Sequence, residues 1–279
     1  MRPALRPPAR RRRLDRGYVM ITVLWIGVAL SLSAAAFLSG AREQALVARA
    51  EVATLRAAEL ARTGLNVAMA DLGRVGADLP RSPRDGTPVT LRMAEGTVTY
   101  RIQDESGKID IDAAPAQLIA PVLARIGEVE GLDAFDAANV AQALAGRRDR
   151  ATGVAGTLRA AGLDARTARI GARYLTTWSF DAQVNPLTAP APVLEAIPGL
   201  GAAAAQQIVD RRRAGASLPR LGAASVWLRG RAGPAYTIEA EATLVSGATA
   251  RMSAVVLARG LAFRGGGMRY DVLSVTVER

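Results

Sequence analysis

The sequence predicts an α+β protein: a long N-terminal transmembrane helix packed on a small antiparallel sheet, with a helical domain inserted in the sheet. Three observations predict it. An uncharged run from Gly17 to Ala41 lies between Arg16 and Arg42; helical periodicity continues beyond it to the region of Gly73; and two regions of period-two alternation flank a long Ala- and Leu-rich stretch punctuated by Gly and Pro.

The uncharged run exceeds the roughly 20 apolar residues that an α-helix needs to cross hydrocarbon. Seven arginines (Arg2, Arg6, Arg10 to Arg13, Arg16) precede it, and positive charge flanking a first span stays on the cytoplasmic side. The chain after Arg42 is therefore expected outside the cytoplasm. A secretory signal is the alternative, with Ser33 and Ala34 to Ala36 as its small-residue cleavage region.

From Arg42 to Gly76 the chain is rich in Ala, Leu, Arg and Glu and has no Pro. Its larger apolar residues, Leu46, Val52, Leu55, Leu60, Val67 and Leu72, recur at roughly helical spacing. The expectation is one helix whose first half is apolar all round and whose second half is amphipathic. Small residues at Ala57, Ala58, Ala61 and Gly64 would let a sheet approach closely. An anchor followed by a separate helix is the plainer alternative.

Composition excludes several classes. Without cysteine there are no disulfide staples, thiolate metal sites or cysteine nucleophiles. Without histidine, a Ser/His/Asp triad, an HExxH zinc site and a His proton shuttle cannot be built. The expectation is a protein that is not an enzyme. The net charge of +11 suggests nucleic acid, but residues 1 to 16 hold seven Arg and one Asp, leaving 29 basic and 24 acidic residues in the rest. Most of the excess is topogenic. About 240 residues beyond the span suffice for one large or two small domains.

Pro80 to Pro88, rich in Pro, Gly and Asp, breaks the helical pattern. The alternating runs VTLRM and TVTYRIQD, separated by Ala-Glu-Gly, follow and predict a hairpin; AYTIEAEATLV and RMSAVVLARG predict a second, and RYDVLSVTVER a last strand. The chain thus divides into residues 18–78 (long helix, with 18–41 transmembrane), 79–112 (first part of the sheet), 113–233 (inserted helical domain) and 234–279 (second part of the sheet), after a basic segment 1–17.

The basic segment, the glycine that ends it and the retained apolar helix resemble the type IV pilin-like family, in which a prepilin peptidase cuts after such a glycine. The resemblance implies cleavage between Gly17 and Tyr18 and N-methylation of Tyr18. Most pilins have Glu five residues into the mature chain; Thr22 stands there. In a filament that Glu is thought to neutralise a neighbour's buried amine, and an unpaired buried charge costs several kcal/mol. A subunit with Thr22 is therefore expected at the tip, where no such neighbour exists.

Within that family, lack of the Glu and a helical insertion are features of the K-type minor pseudopilins of type II secretion systems. Tyr100 to Pro115 (YRIQDESGKIDIDAAP) resembles their entry into the inserted domain, with Asp110 and Asp112 in place of the customary asparagines. Val184 to Gly215 resembles a later Asn-x-Asn-Thr-Ala segment and its helical hairpin, Leu187 standing at the second Asn position. The family's Trp-Asp dipeptide with a following Gly-Ala-Glu is missing; Leu144 to Gly162 occupies that place, so the insertion is trimmed or divergent. The resemblance implies a single-pass inner-membrane protein with a periplasmic C-terminal domain, which initiates or caps the pseudopilus and aids export across the outer membrane. Its implied partners are minor pseudopilins I and J, the major pseudopilin, the inner-membrane assembly platform, the prepilin peptidase and exported proteins, and not nucleic acid.

Two other readings attach to the same residues. IPGLGAAAAQQIV, within 184–215, fits a helix-hairpin-helix, whose glycines aim backbone N–H groups at phosphate. A membrane-anchored DNA-binding receptor would carry one. Against it, Ala202 to Ala205 open the second helix, and Arg211 to Arg213 read as a solvated helix end. Asp104, Glu105, Asp110 and Asp112 offer carboxylates to Ca2+. They lack EF-hand spacing, and a salt-linked turn around Gly107 and Lys108 is the plainer reading; calcium enters only because the resembling family has acidic loops associated with it. No other cofactor is expected. Trp178 and Trp227 are expected in the core of the insertion.

Overall fold

A computed structural model describes residues 15–74, 81–145, 153–261 and 268–278. The chain forms two units, Met1–Ala53 and Thr54–Arg279. The first described element, α1 (Asp15–Gly73), runs through the division between them. Its N-terminal portion is a single helix with no buried residue from Tyr18 to Ala53 and a mean hydropathy of 2.2 over its most apolar window. It is long and apolar enough to span a membrane.

In the second unit, a five-stranded antiparallel sheet has the order β1-β2-β5-β6-β7. Its strands are β1 (Val89–Met93), β2 (Gly96–Asp104), β5 (Ala235–Leu244), β6 (Thr249–Leu261) and β7 (Met268–Glu278). Alternation sets which face is covered. Val98, Tyr100 and Ile102 of β2 are buried, opposite Ala242, Ala240 and Ile238 of β5. Onto that face packs the stripe Ala57, Leu60, Ala61, Leu65, Ala68 and Leu72 of α1, at the three- and four-residue intervals of one helix face.

Close packing depends on small residues in the helix. A Cβ on Gly64 would lie 2.2 Å from Val98 Cγ1, so the sheet rests against the bare backbone there. The Tyr270 hydroxyl donates to the Leu72 carbonyl at 3.0 Å, supplying a partner to the last turn of α1.

Between the adjacent strands β2 and β5 the chain leaves the sheet and builds a helical insertion with its own core. Its elements are β3 (Ile109–Asp110), α2 (Ala116–Glu130), α3 (Ala137–Leu144), α4 (Gly153–Ala160), α5 (Ala165–Gly171), β4 (Leu175–Thr176), α6 (Ala191–Glu195) and α7 (Ala202–Arg213). Strand β3 pairs in parallel with β4. Leu118, Ile119, Leu123, Ile126, Leu144, Leu158 and Leu194 fill the core. Trp227 packs against it; Trp178 is half-buried, edge-on to Phe180 with ring centroids 6.4 Å apart.

Candidate functional site

The basic segment 1–17 lies outside the described residues as far as residue 14. The Gly17–Tyr18 bond falls in the first turn of α1, and Tyr18 is 76% exposed. Thr22 carries no charge, and its hydroxyl donates to the Tyr18 carbonyl at 2.9 Å. Ser31, Ser33 and Ser39 likewise donate to Gly27, Ala29 and Ala36. Every hydroxyl between Tyr18 and Ala41 except that of Tyr18 itself is thus satisfied inside the helix, as an apolar surrounding requires. The surface left is apolar side chain, suited to lipid or to other helices.

The second site is where the insertion leaves and rejoins the sheet. Buried Asp104, the last residue of β2, uses Oδ1 to accept the backbone N–H of Ser106 (2.9 Å), the Ser106 hydroxyl (2.7 Å) and, at the far end of the insertion, the Gly233 N–H (3.2 Å). One carboxylate therefore fastens entrance to exit. Glu105, also buried, pairs with Lys108 Nζ at 2.6 Å and accepts from the Thr237 hydroxyl at 2.7 Å. The middle of the insertion joins them: Asn185 donates its N–H to the Ser106 carbonyl at 2.7 Å, and Gln103 donates to the Thr188 carbonyl at 2.9 Å. Two glycines allow the approach. A Cβ on Gly107 would sit 2.5 Å from the Thr188 carbonyl group, and one on Gly233 2.9 Å from Ser106 Cβ. The sequence stretches at Tyr100 to Pro115 and Val184 to Gly215 thus meet at one place.

Asp110 is buried deeper in the insertion. Its Oδ1 accepts the Asp112 N–H at 3.0 Å, and its Oδ2 accepts the Phe180 N–H at 2.8 Å and the Ser179 hydroxyl at 3.1 Å. Burial pushes the carboxyls of Asp104 and Asp110 above the usual range, and the donors they accept from offset part of that shift. Calcium takes about six to eight oxygens in one cage. Asp104, Glu105, Asp110 and Asp112 do not form one: the first three turn their oxygens to protein donors, and among the described residues no three acidic side chains converge as a metal site.

The glycine-hinged turn of the helix-hairpin-helix motif is present. Gly199 and Gly201 take φ of +80° and +77° between α6 and α7. The arginines that follow are not all solvated, however. Arg212 is half-buried, with Nη1 donating to the Ala189 carbonyl at 2.6 Å and Nε 3.4 Å from the Asp85 carboxylate; Arg211 donates to the Ser217 carbonyl at 3.1 Å. The reason is helical phase: Ala205, Ile208, Val209 and Arg212 share the inner face of α7. Asp85 lies in the segment read from sequence as a breaker of the helical pattern, and it bridges to Gln103 of β2. The central cation of the run is committed to this contact and cannot serve a phosphate.

No protein-family model and no curated protein matches the chain. Among solved structures, it is similar to a chain of the GspK-GspI-GspJ complex from the enterotoxigenic Escherichia coli type 2 secretion system: 16% identity, a TM-score of 0.47, and coverage of 85% of this chain and 99% of that one.

Proposed function

We propose that the chain is a minor pseudopilin at the tip of a type II secretion pseudopilus. The observation that carries the reading is an insertion with its own core, placed between neighbouring strands of a sheet backed by the helix that also holds the apolar span. Such bulk on one subunit hinders the stacking of another above it. A position with nothing above needs no acidic side chain to neutralise a neighbour's amine, and Thr22, bonded to its own helix, supplies none. That pairing of features supports the tip position and with it initiation or capping; help to export belongs to the same proposal.

In this reading the prepilin peptidase cuts between Gly17 and Tyr18, the new amine of Tyr18 is methylated, and residues 18–41 of α1 remain in the inner membrane with the rest of the chain in the periplasm. Minor pseudopilins I and J, the major pseudopilin and the assembly platform are its partners. It works by contact rather than catalysis. N-terminal mass spectrometry of the protein from membranes of cells carrying a prepilin peptidase tests it. A start at N-methylated Tyr18 is expected; a start beyond Ala36, or an intact leader, would refute it.

A further inference from the structure

The two edges of the five-stranded sheet differ in kind. Strand β1 has five residues and carries Arg92, features that discourage pairing with another chain. Strand β7 has eleven residues, and its stretch Val272–Val277 (VLSVTV) holds no charge, Gly or Pro. It is the last strand of the sheet, so alternate backbone N–H and C=O groups along it point away from β6.

Its side chains are uncovered on the face that should be covered. Val277, Val275 and Val272 stand opposite Met252, Ala254 and Val256 of β6, which line the side packed by α1. Ala254 and Val256 are 1% and 0% exposed, whereas Val272, Val275 and Val277 are 47%, 53% and 44% exposed. Tyr270, two residues before Val272, still reaches the helix through its bond to Leu72. The apolar layer therefore runs one strand further than the helix that covers it.

We propose that β7 is a docking edge for an extended, alternately apolar strand from a different membrane-anchored subunit, which pairs along Val272–Val277 and completes this layer. The proposal rests on the filament-subunit reading above. Its outward backbone groups, which pair with no other strand among the described residues, call for an extended chain, and the three valines call for apolar side chains on its α1 side. A second copy does not fit. Antiparallel β7–β7 pairing needs a two-fold axis normal to the sheet, which sets the two helix segments Thr54–Gly73 antiparallel to each other, whereas the filament reading sets all subunits in one direction. Parallel pairing about an axis along the strands puts the two helix segments on opposite faces and splits the valine layer. Head-to-tail pairing on β1 of a second copy sets the long strand against five residues and Arg92.

The test uses the full chain, solubilised in mild detergent from the membranes in which it is made with its fellow subunits. Native mass is compared for wild type, Val275→Lys/Val277→Lys and the opposite-face control Thr243→Lys. Both valines are already half exposed, so the double variant keeps the wild-type melting temperature. It is expected to lose the heteromeric complex by about tenfold or more, because two charges would be desolvated inside the contact. Hydrogen exchange of the wild type needs no variant: the alternate amides in Val272–Val277 that point away from β6 are expected to be protected in the complex and to exchange in the dissociated chain. An undiminished complex in the double variant, no added protection, or a wild type that runs as a homodimer would overturn the proposal. Mass spectrometry of the N-terminus in the same sample separates the two levels. A start at Tyr18 with an undiminished complex in the double variant sinks the strand contact alone, and a start elsewhere sinks the filament reading and the contact with it.

Discussion

Replacing Asp104 by Ala tests whether one carboxylate holds the insertion to the sheet. Its Oδ1 serves the Ser106 N–H, the Ser106 hydroxyl and the Gly233 N–H. The hydroxyl can turn elsewhere. The two backbone donors cannot, and each buried donor left without an acceptor costs about 1–3 kcal/mol. Part of that is returned because a buried carboxylate is no longer desolvated, so the expected net loss is about 2–4 kcal/mol, a large share of the roughly 5–15 kcal/mol that holds a protein folded. Asp104→Asn keeps an acceptor oxygen in the same place and is expected to cost about 1 kcal/mol or less. The assay is urea unfolding of the full chain in detergent, read by fluorescence in a Trp25→Phe background, where Trp178 and Trp227 of the insertion remain as reporters. If Asn costs as much as Ala, or if Ala costs almost nothing, the acceptor argument fails.

The same residue predicts a pH response. Burial raises the Asp104 carboxyl in the folded chain, so the stability it contributes is full below its unfolded value and is lost as pH rises through the folded one. Wild type should therefore gain on Asp104→Asn as pH falls from 7 toward 4; urea midpoints at the two pH values check the sign. Arg212→Leu takes the cation from Asp85, whose Oδ1 keeps its bonds from Thr87, strands the Ala189 carbonyl, and is expected to cost about 2–4 kcal/mol. Arg212→Lys is expected to recover only part of this, because one ammonium does not span both partners; thermal melts of the pair decide it. Replacing a helical Gly by Ala usually stabilises by about 1 kcal/mol. At Gly64 the added Cβ would overlap Val98, so Gly64→Ala is expected to destabilise by about 1–3 kcal/mol, a reversal of sign visible in the melting temperature.

What the sequence reveals here depends on how far apart the interacting residues lie. The buried stripe of α1 and the alternation of Val98, Tyr100 and Ile102 are local patterns, legible because one face is covered and the other is not. Gly64 was legible for the same reason, as a small residue on the packing face. Asp104 and Gly233 stand 129 positions apart, and nothing local marks them as partners; Gly107 reads as part of a turn and Gly233 as the end of the insertion, whereas crowding by Thr188 and Ser106 is what demands glycine. Arg212 is an intermediate case. Its phase with Ala205, Ile208 and Val209 places it on the inner face, yet a run of three arginines suggests solvent, and the Asp85 carboxylate with the Ala189 carbonyl explains how a guanidinium is tolerated there. β7 shows the converse limit. Val272, Val275 and Val277 spell a strand, and a strand forms. The same letters would be written for a strand buried under a helix and for one whose apolar side waits for another chain. The distinction lies in whether α1 extends over the strand, and that is decided by packing across the sheet rather than by any pattern within β7.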